Sequence, residues 1–153
     1  MKPSVYVETS IIGYLTSRPS RDIVVAAQQQ LTHEWWDFRR ADFDLYTSQL
    51  VLQEAGSGNA SEAVRRVEAL GGLPLLDPEG EPAVLAQSLV KFGPLPVKAT
   101  ADALHMAIAT VYRMDYLLAW NCKHIANAAM RARWRRSAAR QVTKRQSCVR
   151  RKS

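Results

Sequence analysis

Short apolar runs separated by longer stretches of helical period organise this chain. The first run, Val5-Tyr6-Val7, stops at Glu8 and passes through Thr9 and Ser10 into Ile11-Ile12-Gly13. A strand covered on both faces needs apolar side chains at every position, so this run predicts a central strand of a parallel sheet. Phe43 to Thr47, with Leu45 between polar neighbours, predicts a second strand, and Tyr116 to Trp120 a fourth. Between them, Leu73 to Leu76 predicts a third at a sheet edge, because Pro74 has no N–H to give a ladder.

Helical spacing fills the intervals. Asp22 stands where it can cap a helix whose apolar stripe is Val24, Ala27, Leu31, Trp35 and Phe38. Ser48 does the same for a short helix containing Leu50, Val51, Leu52, Glu54 and Ala55. Asn59 and Glu62 mark the start of a helix carrying Ala63, Val67 and Leu70, which Gly71 and Gly72 stop. Asp77 and Pro78 open another, striped by Val84, Leu85, Leu89 and Val90, before the turn at Gly93, Pro94 and Pro96. A helix restarts near Lys98 and runs through Ala103, Leu104, Ala107, Ile108 and Val111; Asn121 is placed to cap a last one through Ile125 and Ala128. Strands alternating with helices define an α/β fold, a mostly parallel central sheet flanked by helices.

Composition adds limits. With 153 residues, 47% hydrophobic and 23% charged, the chain has the make-up of one globular domain. Glu8 interrupts the only early apolar stretch, so neither a signal peptide nor a membrane span is expected, and the expected location is cytoplasmic. Cys122 and Cys148 form no metal-binding spacing and are read as reduced thiols. The net charge of +7 is unevenly placed: residues 129–153 hold eight arginines, two lysines and no acid, whereas residues 1–128 hold eleven basic and fourteen acidic residues. The basic character therefore belongs to the tail, and the rest is a mildly acidic domain.

Three acids and one amide stand out against this frame: Glu8 after the first strand, Glu54 after the second, Asp102 in the first turns of a late helix, and Asn121 after the fourth strand. Parallel strands deliver their carboxyl ends to one edge, where residues distant in sequence can meet. Hard oxygen donors gathered there suit magnesium or manganese, and a bound cation offsets the mutual repulsion of close carboxylates. Taken singly, each has a plainer reading. Glu8 can begin a turn or cap a helix, Glu54 can be a solvated helix position, Asp102 can favour a helix dipole, and Asn121 can be only a cap. His105 reads as a packed or hydrogen-bonded core histidine and His124 as structural, while Trp35 and Trp36 divide between core and rim. Gly56-Ser57-Gly58 lacks the rest of a dinucleotide fingerprint, and neither a Walker A loop nor a Gly-x-Ser-x-Gly elbow occurs.

Tyr6-Val7-Glu8-Thr9-Ser10-Ile11-Ile12, Ser48 to Glu54, Asp102-Ala103-Leu104-His105-Met106-Ala107 and Leu117 to Asn127 together resemble PIN-domain proteins, specifically the VapC-like ribonuclease toxins of bacterial toxin-antitoxin pairs. The resemblance covers residues 3–128 and implies a PIN-like three-layer sandwich with a metal-dependent endoribonuclease site. It implies that Glu8, Glu54, Asp102 and Asn121 are catalytic, that the first three hold magnesium or manganese, and that Ser10 helps hold metal or phosphate. It also implies an RNA substrate, a homodimer and a cognate antitoxin whose peptide covers the site.

Two departures from the family pattern bear on that expectation. The family's first acid is usually aspartate, and Glu8 carries one more methylene, while Asn121 is neutral. The family's last stretch is replaced by the arginine-rich residues 129–153, open to three readings: a disordered solvated tail, the product of a shifted reading frame, or a basic arm contacting RNA phosphates with Trp134 to stack on a base. A second class of function stays open beside the nuclease. It is a PIN-like binding module, or decayed toxin, that keeps the fold and cleaves nothing.

Overall fold

A computed structural model describes residues 2–92 and 99–120 of the chain. Lys98, Asn121, Cys122, His124, Trp134, Cys148 and the basic tail, and with them the expectations placed there, lie outside the described residues.

Among the described residues four strands form one sheet: β1 (Ser4–Val7), β2 (Asp44–Ser48), β3 (Leu75–Leu76) and β4 (Tyr116–Leu118), in the order β3-β2-β1-β4. All three pairings are parallel, with Tyr6 opposite Tyr46 on one side and Leu117 on the other. β1, apolar from Val5 to Val7, is central, as its pattern requires, and the Pro74 segment is at the edge, where the Pro74 carbonyl accepts the Thr47 N–H at 3.0 Å. Among the described residues six α-helices connect the strands: α1 (Thr9–Thr16), α2 (Ile23–Phe38), α3 (Gln49–Ala55), α4 (Ala60–Ala69), α5 (Glu81–Lys91) and α6 (Thr100–Val111). Helix α1 packs with α2, α3 and α4, whereas α5 packs with α6, which in turn meets β4. The result is a three-layer α/β sandwich of PIN-like form.

The caps follow local chemistry. Asp22 accepts the Val25 N–H at 3.0 Å, Ser48 the Val51 N–H at 3.1 Å, and Asn59 the Ser61 and Glu62 N–H groups, each using a side-chain oxygen to satisfy donors that a helix start leaves open. The core is built from Val5, Tyr6 and Val7 of β1, Ile11 and Ile12 of α1, Val51, and the Ala103, Met106, Ala107, Ile108 face of α6. Because α6 buries alanines, its backbone can approach the sheet closely, which brings His105 to the strands.

Two helices differ from their patterns. Val24 and Phe38 of α2 are exposed, and its buried residues are Gln29 and Thr32. Both polar side chains are satisfied: Gln29 donates to Ser17 Oγ and the Arg18 carbonyl and accepts from the Ser20 N–H, while Thr32 accepts from the Trp120 indole. A buried polar group with partners costs little, so partners rather than apolar period decide which face turns inward. Helix α5 begins at Glu81 instead of Asp77. Asp77 caps a turn through the Glu79 N–H at 2.8 Å, and Gly80, at φ 77°, redirects the chain in a conformation that side chains disfavour. Among the described residues no helix is long and apolar enough to cross a membrane.

Candidate metal centre

Glu8 follows the last residue of β1, its N–H still bonded to the Leu118 carbonyl at 3.1 Å. There it caps α1: Oε2 accepts the Ser10 N–H at 3.0 Å and also the Ser10 hydroxyl. The same hydroxyl accepts the Trp120 N–H at 2.9 Å, so the chain beyond β4 fixes the residue that fixes Glu8. Glu8 is buried, and this raises its carboxyl above the usual carboxylate range. The nearby His105 and the Ser10 bonds oppose that rise, and Glu54 adds to it.

Glu54 arrives from the other side. Ser48 ends β2 and starts α3, and that short helix carries Glu54 back to the carboxyl end of β1. Its Oε1 accepts from Thr9 Oγ1 at 2.5 Å and lies 2.8 Å from His105 Nε2. Partial burial would raise its pKa, but the bonds from His105 and Thr9 and the attraction of His105 outweigh it, leaving Glu54 below the usual range. His105 is only 1% exposed on α6. Its Nδ1 lies 2.7 Å from the Tyr6 hydroxyl, which lies 2.8 Å from Ser48 Oγ, and its Nε2 lies 4.0 Å from Glu8 Oε1.

One ligand atom from each of Glu8, Glu54 and His105 falls within 4.8 Å of the others. Glu8 and Glu54, read from the sequence as metal ligands, therefore meet. Asp102 stands outside this close group, half-buried in the first turn of α6, one turn ahead of His105 and on the same face of the helix. Asn121 lies outside the described residues. Ser10 has its hydroxyl engaged with Glu8 and Trp120.

His105 is the packed, hydrogen-bonded core histidine its apolar surroundings suggest. Its place against both acids is not evident from that apolar setting. The available signal was its spacing from Asp102, which puts both on one helix face. Tyr6 counts toward the apolar run of β1, and no local pattern marks its hydroxyl.

The donor set fits a divalent cation. Two carboxylates at this separation repel when both are ionised, and a cation between them would remove that repulsion.

No family model, curated protein or solved structure matches this chain. Fold and site define a class all the same: a parallel α/β sandwich with a cluster of carboxylates and an imidazole at the carboxyl end of its central strands.

Proposed function

We propose that the protein is a magnesium- or manganese-dependent endoribonuclease acting as the toxin of a type II toxin-antitoxin pair. The observation that supports it most is the meeting of Glu8 and Glu54, from two different strand ends, beside His105 with ligand atoms within 4.8 Å. The choice of RNA, of a homodimer and of an antitoxin partner rests on the resemblance of the four sequence motifs to VapC-like toxins.

In this reading Glu8 and Glu54 hold the cation, and Asp102 is the third acid of the site. The cation, when bound, supplies charge to neutralise a phosphodiester and lowers the pKa of a water that attacks phosphorus. The protein's own part is positioning. Ser10 aims Glu8 through two bonds, and Thr9 and His105 aim Glu54 through two more. The depressed Glu54 is ionised at neutral pH and can bind without first losing a proton.

The deciding experiment incubates full-length protein with a mixed-sequence RNA in manganese, beside EDTA and Glu54→Gln. Manganese-dependent cuts that fall at least a hundredfold in the variant support the nuclease. A folded protein that binds manganese and leaves RNA intact overturns it in favour of the binding module.

A further inference from the structure

A line of hydrogen bonds runs from the backbone of α3 through the protein interior to Glu54. The Val51 N–H donates to Ser48 Oγ at 3.1 Å, Ser48 Oγ meets the Tyr6 hydroxyl at 2.8 Å, and that hydroxyl meets His105 Nδ1 at 2.7 Å. The line ends with His105 Nε2 at 2.8 Å from Glu54 Oε1. Ser48 and Tyr6 are fully buried and His105 is 1% exposed, so water cannot complete their bonding.

Counting protons gives the line a direction. The Val51 N–H is a fixed donor, so Ser48 accepts there and has one proton to give. If Ser48 donates to Tyr6, Tyr6 donates to His105 Nδ1, and the imidazole proton sits on Nε2, facing the Glu54 carboxylate. Every donor then has an acceptor. With the proton on Nδ1, Tyr6 must donate to Ser48, whose own proton is left without an acceptor among its bonded partners. If Nε2 is also bare, it faces the carboxylate lone pair against lone pair. Tyr6 itself stays protonated, since burial pushes its pKa upward.

We infer that Tyr6 and Ser48 are positioning residues for the metal centre: they fix His105 as its Nε2–H tautomer, which makes the imidazole a donor to Glu54 instead of a metal ligand. The cation is then held by the oxygens of Glu8 and Glu54, with His105 behind them. Both Thr9 and His105 bind Oε1 of Glu54, so Oε2 is the oxygen outside these two bonds. A ligating carboxylate restrained in this way loses less freedom when the ion arrives. The assignment deepens the proposed function and rests on it for the cation, whereas the tautomer is a property of the protein alone.

The test has two arms on full-length protein. In the first, histidine labelled with nitrogen-15 is observed by NMR at neutral pH in EDTA, with His105→Gln identifying the His105 signals among the three histidines. A protonated Nε2 beside a bare Nδ1, lost to a tautomer mixture in Tyr6→Phe, supports the inference; a proton on Nδ1, or an unchanged pattern in Tyr6→Phe, overturns it. In the second, calorimetry with manganese is expected to weaken ten- to a hundredfold for Tyr6→Phe and for His105→Ala, with His105→Gln recovering much of the loss because its amide can still donate to Glu54. A glutamine no better than alanine makes His105 a ligand and overturns the inference. Wild-type protein that binds no manganese overturns the proposed nuclease instead, and the NMR arm still decides the tautomer.

Discussion

Thr9, the residue after one glutamate, donates its hydroxyl to the other: Thr9 Oγ1 and Glu54 Oε1 are 2.5 Å apart across 45 positions of sequence. The bond ties the turn leaving β1 to the helix leaving β2. With Ser10 holding Glu8, two consecutive hydroxyl residues aim both acids, and the first turn of α1 becomes the frame of the site. Thr9→Val keeps the shape and removes the donor. It is expected to weaken manganese binding about tenfold, the lower end of the range for a group that orients a ligand, as read by calorimetry. Unchanged affinity would mean that His105 alone sets Glu54.

A cation that binds the folded chain and not the unfolded one adds stability by mass action. At a hundred times the dissociation constant the gain is about 2.7 kcal/mol. For a chain of this length that is a rise in melting temperature of roughly 5–10 °C. Manganese is expected to produce it in the wild type and to lose most of it in Glu54→Gln. Thermal melts with and without EDTA check this, and a wild-type melt indifferent to millimolar manganese would count against a cation site between Glu8 and Glu54.

The two glutamates should respond to acid in opposite senses. Glu8 has its pKa raised above the ordinary 4.5, so the folded chain holds its proton longer than the unfolded chain and stability falls as pH rises through that interval. Glu54 is lowered, so its contribution is present above 4.5 and is lost as pH falls through its folded value. Glu8→Gln, which can still accept from Ser10, is expected to stabilise the cation-free protein at pH 7 by on the order of 1 kcal/mol. The gain should vanish at about pH 3, well below the ordinary 4.5, where the wild-type carboxyl is protonated in both states. Urea unfolding at the two pH values in EDTA measures it. A variant less stable at pH 7 would mean that the Ser10 bonds to the carboxylate outweigh the burial of its charge.

How much of this was legible in the chain depends on how local its cause is. The three apolar residues of β1, the caps at Asp22, Ser48 and Asn59, and Pro74 at a sheet edge are each decided within a few residues, and sequence shows them. The meeting of Glu8 with Glu54 follows from parallel strands sharing one carboxyl edge, so it too could be anticipated. His105 could not be placed by the same means, because its approach depends on how closely α6 docks on the sheet, a distance set by the buried alanines of α6. Nor could the inner face of α2. A period of apolar positions is blind to Gln29 and Thr32, whose burial is made tolerable by partners at Ser17, Arg18 and Trp120.

Ser10→Ala tests the support of Glu8. The lost hydroxyl leaves Glu8 with the Ser10 N–H as its remaining bond from that residue, and leaves the Trp120 N–H without its acceptor. An unmatched, partly buried donor costs about 1–3 kcal/mol, and chemical denaturation should show a loss in that range. Manganese affinity should fall as well, since Glu8 gains freedom. A stability loss with affinity intact would make Ser10 a structural residue only.

Thr32 offers a contrast remote from the acids. Its hydroxyl donates to the Gln28 carbonyl at 2.7 Å and accepts the Trp120 indole N–H at 2.7 Å, and the residue is 4% exposed. Valine matches threonine in shape but leaves the indole donor unpaired in a partly buried place. Serine keeps the hydroxyl and loses one methyl group. The expected order of stability is therefore wild type, then Thr32→Ser at a cost of about 1 kcal/mol, then Thr32→Val at about 1–3 kcal/mol. Because the same tryptophan bonds Ser10 through its backbone, Thr32→Val should also weaken manganese binding slightly, by a factor of two or so, far less than Ser10→Ala. Denaturation and calorimetry on the two variants check both orders. Valine more stable than serine would show that the bond between α2 and Trp120 contributes less than a single buried methyl group, and that the buried polar face of α2 is held by Gln29 instead.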